Sequence, residues 1–159
     1  MHRLATLDDL DAVYDIYMDE DVVPFLGFDP MPLAEFAPVM ADLVATQAFH
    51  VVVKNGLVRG FYRVSTHPGR ARHVAYLGTF AVAPDERGTG LAASIIETVV
   101  SRLQSEGVRR VELMLEADNP RALRFYEKLG FEFEGRLRSA YRRSHQSHDV
   151  DELLMARLL

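Results

Sequence analysis

The sequence predicts an α+β fold built on a mixed sheet, and three observations carry that prediction. Two apolar runs, residues 49–54 and 57–65, flank Asn55-Gly56, a dipeptide that supplies the positive φ angles of a two-residue hairpin, so the first half of the sheet is antiparallel. Residues 74–83 are apolar on both faces, as expected of a strand in the middle of a sheet. From there to residue 115 the chain reads strand, glycine turn, helix, strand, a crossover that joins parallel neighbours.

Each element has a local reason. Residues 3–5 form a short strand, and Thr6-Leu7-Asp8-Asp9 is a capping-box-like start to a helix over 8–18 with Leu10, Val13, Tyr14 and Tyr17 on one stripe. Residues 19–32 hold three consecutive acids, three prolines and Phe25, Leu26 and Phe28, a loop with apolar anchors. A second helix fills 33–47. After a polar loop at 66–72 and the strand at 74–83, where Gly78 marks a bulge, a third helix over 88–106 lines up Leu91, Ile95, Ile96, Val99 and Leu103. It stops at Gly107, a left-handed C′ residue. Val111, Leu113 and Leu115 then alternate with Glu112, Met114 and Glu116 in a strand. Asn119-Pro120 opens a fourth helix as N-cap and N1 proline, with Ala122, Phe125, Tyr126 and Leu129 as its stripe and Leu129-Gly130 as its end. Residues 131–138 and 150–158 are the last strands, separated by a polar segment. The total is six to seven strands and about four helices.

Composition narrows the function. A chain of 159 residues fits one domain and buries roughly 70% of its unfolded surface, enough for a core without staples. With no cysteine there is no disulfide, thiolate metal site or cysteine nucleophile, which is compatible with a reducing cytoplasm. No stretch approaches the roughly 20 apolar residues of a membrane span, so a soluble, cytoplasmic protein without a membrane partner is expected. Lys plus Arg (18) against Asp plus Glu (23) leaves a net charge of −5, which disfavours nucleic acid and anionic lipid.

The most informative stretch is Ala83-Pro84-Asp85-Glu86-Arg87-Gly88-Thr89-Gly90-Leu91-Ala92. Glycines at 88 and 90 let backbone N–H groups turn inward between a strand and a helix N-terminus, and a diphosphate suits such donors. The same glycines satisfy Gly-x-Gly-x-x-Ala, with Glu112 placed 24 residues beyond Gly88, so a dinucleotide-binding domain is a rival reading. Against it stand the four residues between strand and glycine, the preceding antiparallel hairpin and the shortage of parallel strands. A Walker loop is excluded, since no Gly-Lys-Ser/Thr follows.

Arg87, Gly90 and Ala92 meet the pattern Gln or Arg, two residues, Gly, one residue, Gly or Ala, and Asn119, Ala122, Tyr126, Gly130 and Phe131 meet a second pattern on the next helix. With both motifs in order, the chain resembles the GNAT superfamily of acetyl-CoA-dependent N-acetyltransferases over residues 74–158. Its ending, residues 151–157, resembles the branch containing bacterial amino-acid and ribosomal-protein-type N-acetyltransferases. The resemblance implies one acetyltransferase domain over 1–159, a twisted, mostly antiparallel mixed sheet, acetyl-CoA as co-substrate and a primary amine (amino acid, peptide N-terminus or small amine) as acceptor. It also allows a homodimer. The strand main chain at Phe80, Ala81 and Val82 would follow the acetyl and pantetheine group and offer an N–H to the oxyanion, the side chains themselves being core. Arg87, Gly88, Thr89, Gly90, Leu91 and Ala92 would hold the phosphates, with Asn119 and Tyr126 as further cofactor contacts.

An amine attacking a thioester needs a neutral nitrogen, a stabilised oxyanion and a protonated leaving thiolate. Tyr126 is the candidate acid, since a phenol near 10 can protonate a thiolate near 8.5. On its own a tyrosine on a helix stripe reads as core; the motif around it reverses the balance. Arg87 alone reads as a surface arginine and Asn119 as a helix cap, and both gain a cofactor role only from the motifs. The base is open: the central strand Tyr76-Leu77-Gly78-Thr79-Phe80 has no carboxylate, leaving Glu116, Asp118 and His73, or none for an α-amine, which is partly neutral at pH 7. That gap supports a second rival, a CoA-binding sensor without catalysis. Asp19, Glu20 and Asp21 with the apolar residues beyond them suit an acceptor ammonium or simply a solvated turn. His145, His148, Asp149 and Asp151 lie on a polar loop without ligand spacing, and no metal is expected.

Overall fold

Strand pairing runs in the order β1-β2-β3-β4-β5-β7-β6 through one open, mixed sheet of seven strands in the computed structural model, which describes residues 1–159. The strands are β1 (His2–Leu4), β2 (Phe49–Lys54), β3 (Leu57–Thr66), β4 (Val74–Val82), β5 (Arg110–Glu116), β6 (Glu132–Tyr141) and β7 (Val150–Leu158), with helices α1 (Leu10–Tyr17), α2 (Leu33–Ala45), α3 (Leu91–Ser105) and α4 (Pro120–Lys128). β4 and β5 are parallel, whereas β1–β2, β2–β3, β5–β7 and β6–β7 are antiparallel. This is the expected α+β architecture, and an antiparallel first half is incompatible with a doubly wound dinucleotide-binding sheet. No helix is long and apolar enough to cross a membrane.

The chain forms two compact units, Met1–Val64 with Thr79–Ile95, and Ser65–Gly78 with Ile96–Leu159. In the first, Asn55 (φ +54°) and Gly56 (φ +78°) close the β2–β3 hairpin as their sequence requires. The Asp9 carboxylate accepts from Thr6 N–H at 2.9 Å and from both terminal nitrogens of Arg3 at 2.7 Å, so the start of α1 is fixed to β1. The core stripe of α1 is Val13, Ile16 and Tyr17; Ile16, absent from the expected stripe, lies one turn beyond Val13 and is buried. Tyr17 packs on Phe36 (centroids 5.0 Å) and stacks on Phe61 (5.7 Å), tying α1 to α2 and β3.

In the second unit both helix ends follow from a glycine. Past α3, Gly107 takes φ +88°, Val108 N–H reaches Leu103 O at 3.0 Å and Gly107 N–H reaches Gln104 O at 3.1 Å. Past α4, Gly130 takes φ +80°, Phe131 N–H reaches Tyr126 O and Gly130 N–H reaches Glu127 O, both at 3.0 Å. Each pair is a Schellman motif, with Val108 or Phe131 burying its side chain at the C″ position. Asn119 caps α4, its Oδ1 accepting from Ala122 N–H at 3.1 Å ahead of Pro120.

Candidate active site

The glycine turn is part of the first unit. β4 ends at Val82, a 3₁₀ turn covers Pro84–Glu86, and Gly88 and Gly90 adopt φ +77° and +89° before α3 begins at Leu91. The helix therefore starts three residues later than its sequence pattern indicates, because those two φ values lie outside the right-handed helical region. Ser94 N–H already bonds Gly90 O at 3.0 Å, which leaves the N–H groups of Gly88, Gly90, Ala92 and Ala93 without an acceptor in the protein. A Cβ built on Gly88 or Gly90 would meet nothing within 4 Å. The glycines are needed for their dihedrals, and the turn presents open, unpaired donors at the positive end of a helix, a fit to phosphate oxygens.

Both carboxylates of the turn itself, Asp85 and Glu86, are paired. Glu86 is buried, with Lys54 Nζ 2.9 Å from both of its oxygens, Arg59 Nε at 3.5 Å and Thr89 Oγ1 at 3.0 Å. Lys54 first, with Thr89 and Arg59, holds its carboxyl below the usual carboxylate range. Arg59 also pairs with Asp85. Arg87 is engaged too: its guanidinium pairs with Asp19 and, at 2.8 Å, with Asp21. Two of the three acids of the 19–21 cluster are thus occupied by an arginine of the glycine motif, which removes them as ready counter-charges for an ammonium.

On β4 the backbone irregularity falls one residue after the expected one. Thr79, not Gly78, takes the left-handed φ of +48°, an uncommon conformation for a β-branched residue. Gly78 instead makes room, since a Cβ there would lie 2.9 Å from Cε1 of the Tyr76 ring. Of the three strand residues singled out, Ala81 is buried and Phe80 and Val82 are half-buried.

The titratable cluster belongs to the second unit, at the C-terminal end of β5. Glu116 is 7% exposed, although its place in the alternating run 111–116 assigns it to the polar face. Burial, reinforced by Glu152 across the β5–β7 register and by Asp118, pushes its carboxyl up to about 7, against the opposing pull of its own backbone N–H and of Arg143. Asp118 goes the other way. Arg143, itself buried, grips it at 2.8 and 3.1 Å and holds it below the usual range. His73 precedes β4 and so lies at the opposite end of the parallel β4–β5 pair from Glu116. Of the three candidate bases, Glu116 is the buried one, with its carboxyl pushed up to about 7, while the central strand β4 itself carries no carboxylate.

Tyr126, half-buried on α4, packs edge-on against Phe125 (5.1 Å) and Phe131 (5.6 Å). Burial, with Glu116 and Tyr76 as nearby negative groups, pushes its phenol above the ordinary tyrosine range. It therefore stays protonated throughout the neutral and mildly alkaline range. Asn119 is occupied as a helix cap. No group of three or more His, Cys, Asp or Glu is gathered into a metal-binding geometry.

The sequence profile of the Acetyltransferase (GNAT) family matches residues 10–131, more than half of the chain. The chain belongs to this family. The chain is 38% identical over 87 residues to a mycothiol acetyltransferase of Brachybacterium faecium, and this match covers 54% of the chain and 26% of that relative. A second mycothiol acetyltransferase, from Kocuria rhizophila, is 36% identical over 77 residues, covering 47% of the chain and 25% of the relative. The chain thus spans about a quarter of the length of the curated relatives it matches. In fold it is similar to a ribosomal-protein-alanine N-acetyltransferase from Brucella melitensis, at TM-score 0.77 and 22% identity over 100% of this chain and 99% of that one. It is also similar, at TM-score 0.75 and 22% identity over 100% and 88%, to a phosphinothricin acetyltransferase from Sinorhizobium meliloti solved in complex with acetyl-CoA.

Proposed function

We propose that residues 1–159 act as one cytoplasmic N-acetyltransferase domain that moves the acetyl group of acetyl-CoA to a primary amine by direct attack in a ternary complex. The observation that carries this reading is the set of unpaired N–H groups at Gly88, Gly90, Ala92 and Ala93, four donors with no partner of their own and the geometry of a diphosphate seat. Arg87, Thr89 and Leu91 complete this phosphate-binding turn, and Asn119 adds a contact beyond its capping role. The main chain at Phe80, Ala81 and Val82, beside the left-handed Thr79, lines the thioester and donates an N–H to its oxygen in the tetrahedral state.

In this mechanism the amine nitrogen attacks the thioester carbonyl carbon and the carbon–sulfur bond breaks. Glu116 removes the proton released by the amine, and Tyr126 protonates the departing thiolate sulfur. Glu116 then returns its proton to the phenolate by way of solvent, so the site ends as it began. A carboxyl near 7 is half ionised at neutral pH and matches the partly neutral α-amine, whose pKa is near 8. This favours free amino acids, peptide N-termini and similar small amines over a lysine side chain near 10.4. The phenol, raised above its usual range by burial, is a weaker acid than a free tyrosine, and it serves as donor where the leaving thiolate is desolvated beside it.

The test is thiol release from acetyl-CoA in the presence of amino acids, peptides and polyamines, with wild type and Tyr126→Phe side by side. The expected result is release that requires an amine, is fastest with an α-amine, and drops roughly 10²-fold or more in kcat for the variant while its CoA affinity is unchanged. Equal turnover of the two proteins across pH removes Tyr126 from the mechanism.

A further inference from the structure

A basin of about 770 Å³ opens in the second unit between the loop before β4 and the C-terminal end of α3, and it carries three arginines: Arg70, Arg72 and Arg109. It lies at the N-terminal ends of the parallel strands β4 and β5, whereas Glu116 closes the C-terminal end of β5, roughly 20 Å away at the rise of a β-strand. The basin therefore does not belong to the acetyl-transfer site.

Nine of the chain's sixteen arginines are in ion pairs, and three of the seven that are not line this one basin. Arg70, Arg72 and Arg109 make none and donate no side-chain hydrogen bond. The one carboxylate on the wall, Glu106, is engaged by Arg102 at 3.7 Å, and His73 adds a further ring nitrogen donor. The lining is thus a concentration of uncompensated positive charge in a protein of net charge −5. Three exposed guanidinium forks lining one concavity suit oxygens spread over several phosphate groups, each able to take two parallel hydrogen bonds. The volume is that of a small-ligand site, and the negative charge of the rest of the molecule disfavours an extended polyanion such as RNA.

We infer that Arg70, Arg72 and Arg109 form an oxyanion-binding site for a small polyphosphate-bearing molecule, separate from the acetyl-CoA turn. Because an inorganic probe also suits the unpaired amides at Gly88–Ala93, the titration is done with the acetyl-CoA site saturated by CoA. Calorimetry with sodium triphosphate at low ionic strength then compares wild type with Arg72→Gln/Arg109→Gln. One saturable site is expected whose affinity falls about tenfold or more in the variant and weakens with salt, while CoA affinity and melting temperature stay as in wild type. ATP binding more tightly than triphosphate assigns a phosphorylated metabolite, and equal binding assigns free polyphosphate; both uphold the site. Absence of saturable binding, equal affinity in the two proteins, or citrate binding as tightly as triphosphate overturns it. Should CoA fail to bind, the same comparison without CoA still reads the basin, since the glycine turn is identical in both proteins.

Discussion

At the scale of single residues, the most consequential side chain is Glu116, a carboxyl held near 7 by burial. Its folded-state value exceeds its unfolded one, so the folded protein retains a proton that the unfolded chain releases between pH 4.5 and 7. Stability therefore falls as pH rises through that window, by about 3 kcal/mol once both states are ionised. Glu116→Gln removes this dependence. The variant is expected to match wild type near pH 4 and to exceed it above pH 8, read as the difference in denaturant midpoints. Activity moves the opposite way: with an α-amine acceptor, kcat/KM of wild type climbs through two ionisations, Glu116 at about 7 and the amine near 8, whereas Glu116→Gln keeps only the amine limb and loses roughly 10²-fold in rate. Tyr126 sets no descending limb below pH 10, because its phenol lies above that range. The same residue shows where sequence reasoning stopped. Alternation along 111–116 places Glu116 with Glu112 and Met114, yet the period-2 pattern breaks at the strand end, where Glu152 and the Arg143–Asp118 pair surround it. An acid ending an apolar strand just before a capped helix is the signal that was available.

At the scale of elements, the glycine turn makes the sharpest demands. Gly90→Ala places a Cβ at φ +89°, which costs about 1–2 kcal/mol of stability, and it pushes a methyl group onto the open face where phosphate is to sit. The expected outcome is a lower melting temperature together with weakened CoA binding by calorimetry; unaltered CoA affinity would remove the turn from the site. Arg87 adds a second test, for its guanidinium must leave Asp19 and Asp21 to contact a phosphate. Asp19→Asn/Asp21→Asn should tighten CoA binding several-fold at low salt, an advantage that disappears as salt screens the charges. These elements differ in how far local sequence determines them. The Asn55-Gly56 hairpin, the Asn119 cap and the Schellman ends at Gly107 and Gly130 each depend on one or two residues, and all four were readable. The Arg87–Asp19 and Lys54–Glu86 pairs join residues 68 and 32 positions apart, and nothing local announces either.

At the scale of the whole molecule, alternation and a crossover helix are enough to derive the mixed sheet, its single parallel join and its antiparallel remainder. The insertion of β7 between β5 and β6 is a long-range choice that no local pattern specifies. Function is distributed in the same manner. The unpaired amides follow from two glycines and a helix start, while the tuned carboxyl exists only because strands from distant parts of the chain bury it. The most direct measurement is the amide proton–nitrogen NMR spectrum of the protein titrated with acetyl-CoA. Saturable shifts at Gly88, Gly90, Ala92 and Ala93, with hydrogen exchange at these four amides slowed in the complex, are the predicted result. If those resonances stay unmoved at saturating acetyl-CoA, the proposed phosphate seat does not exist.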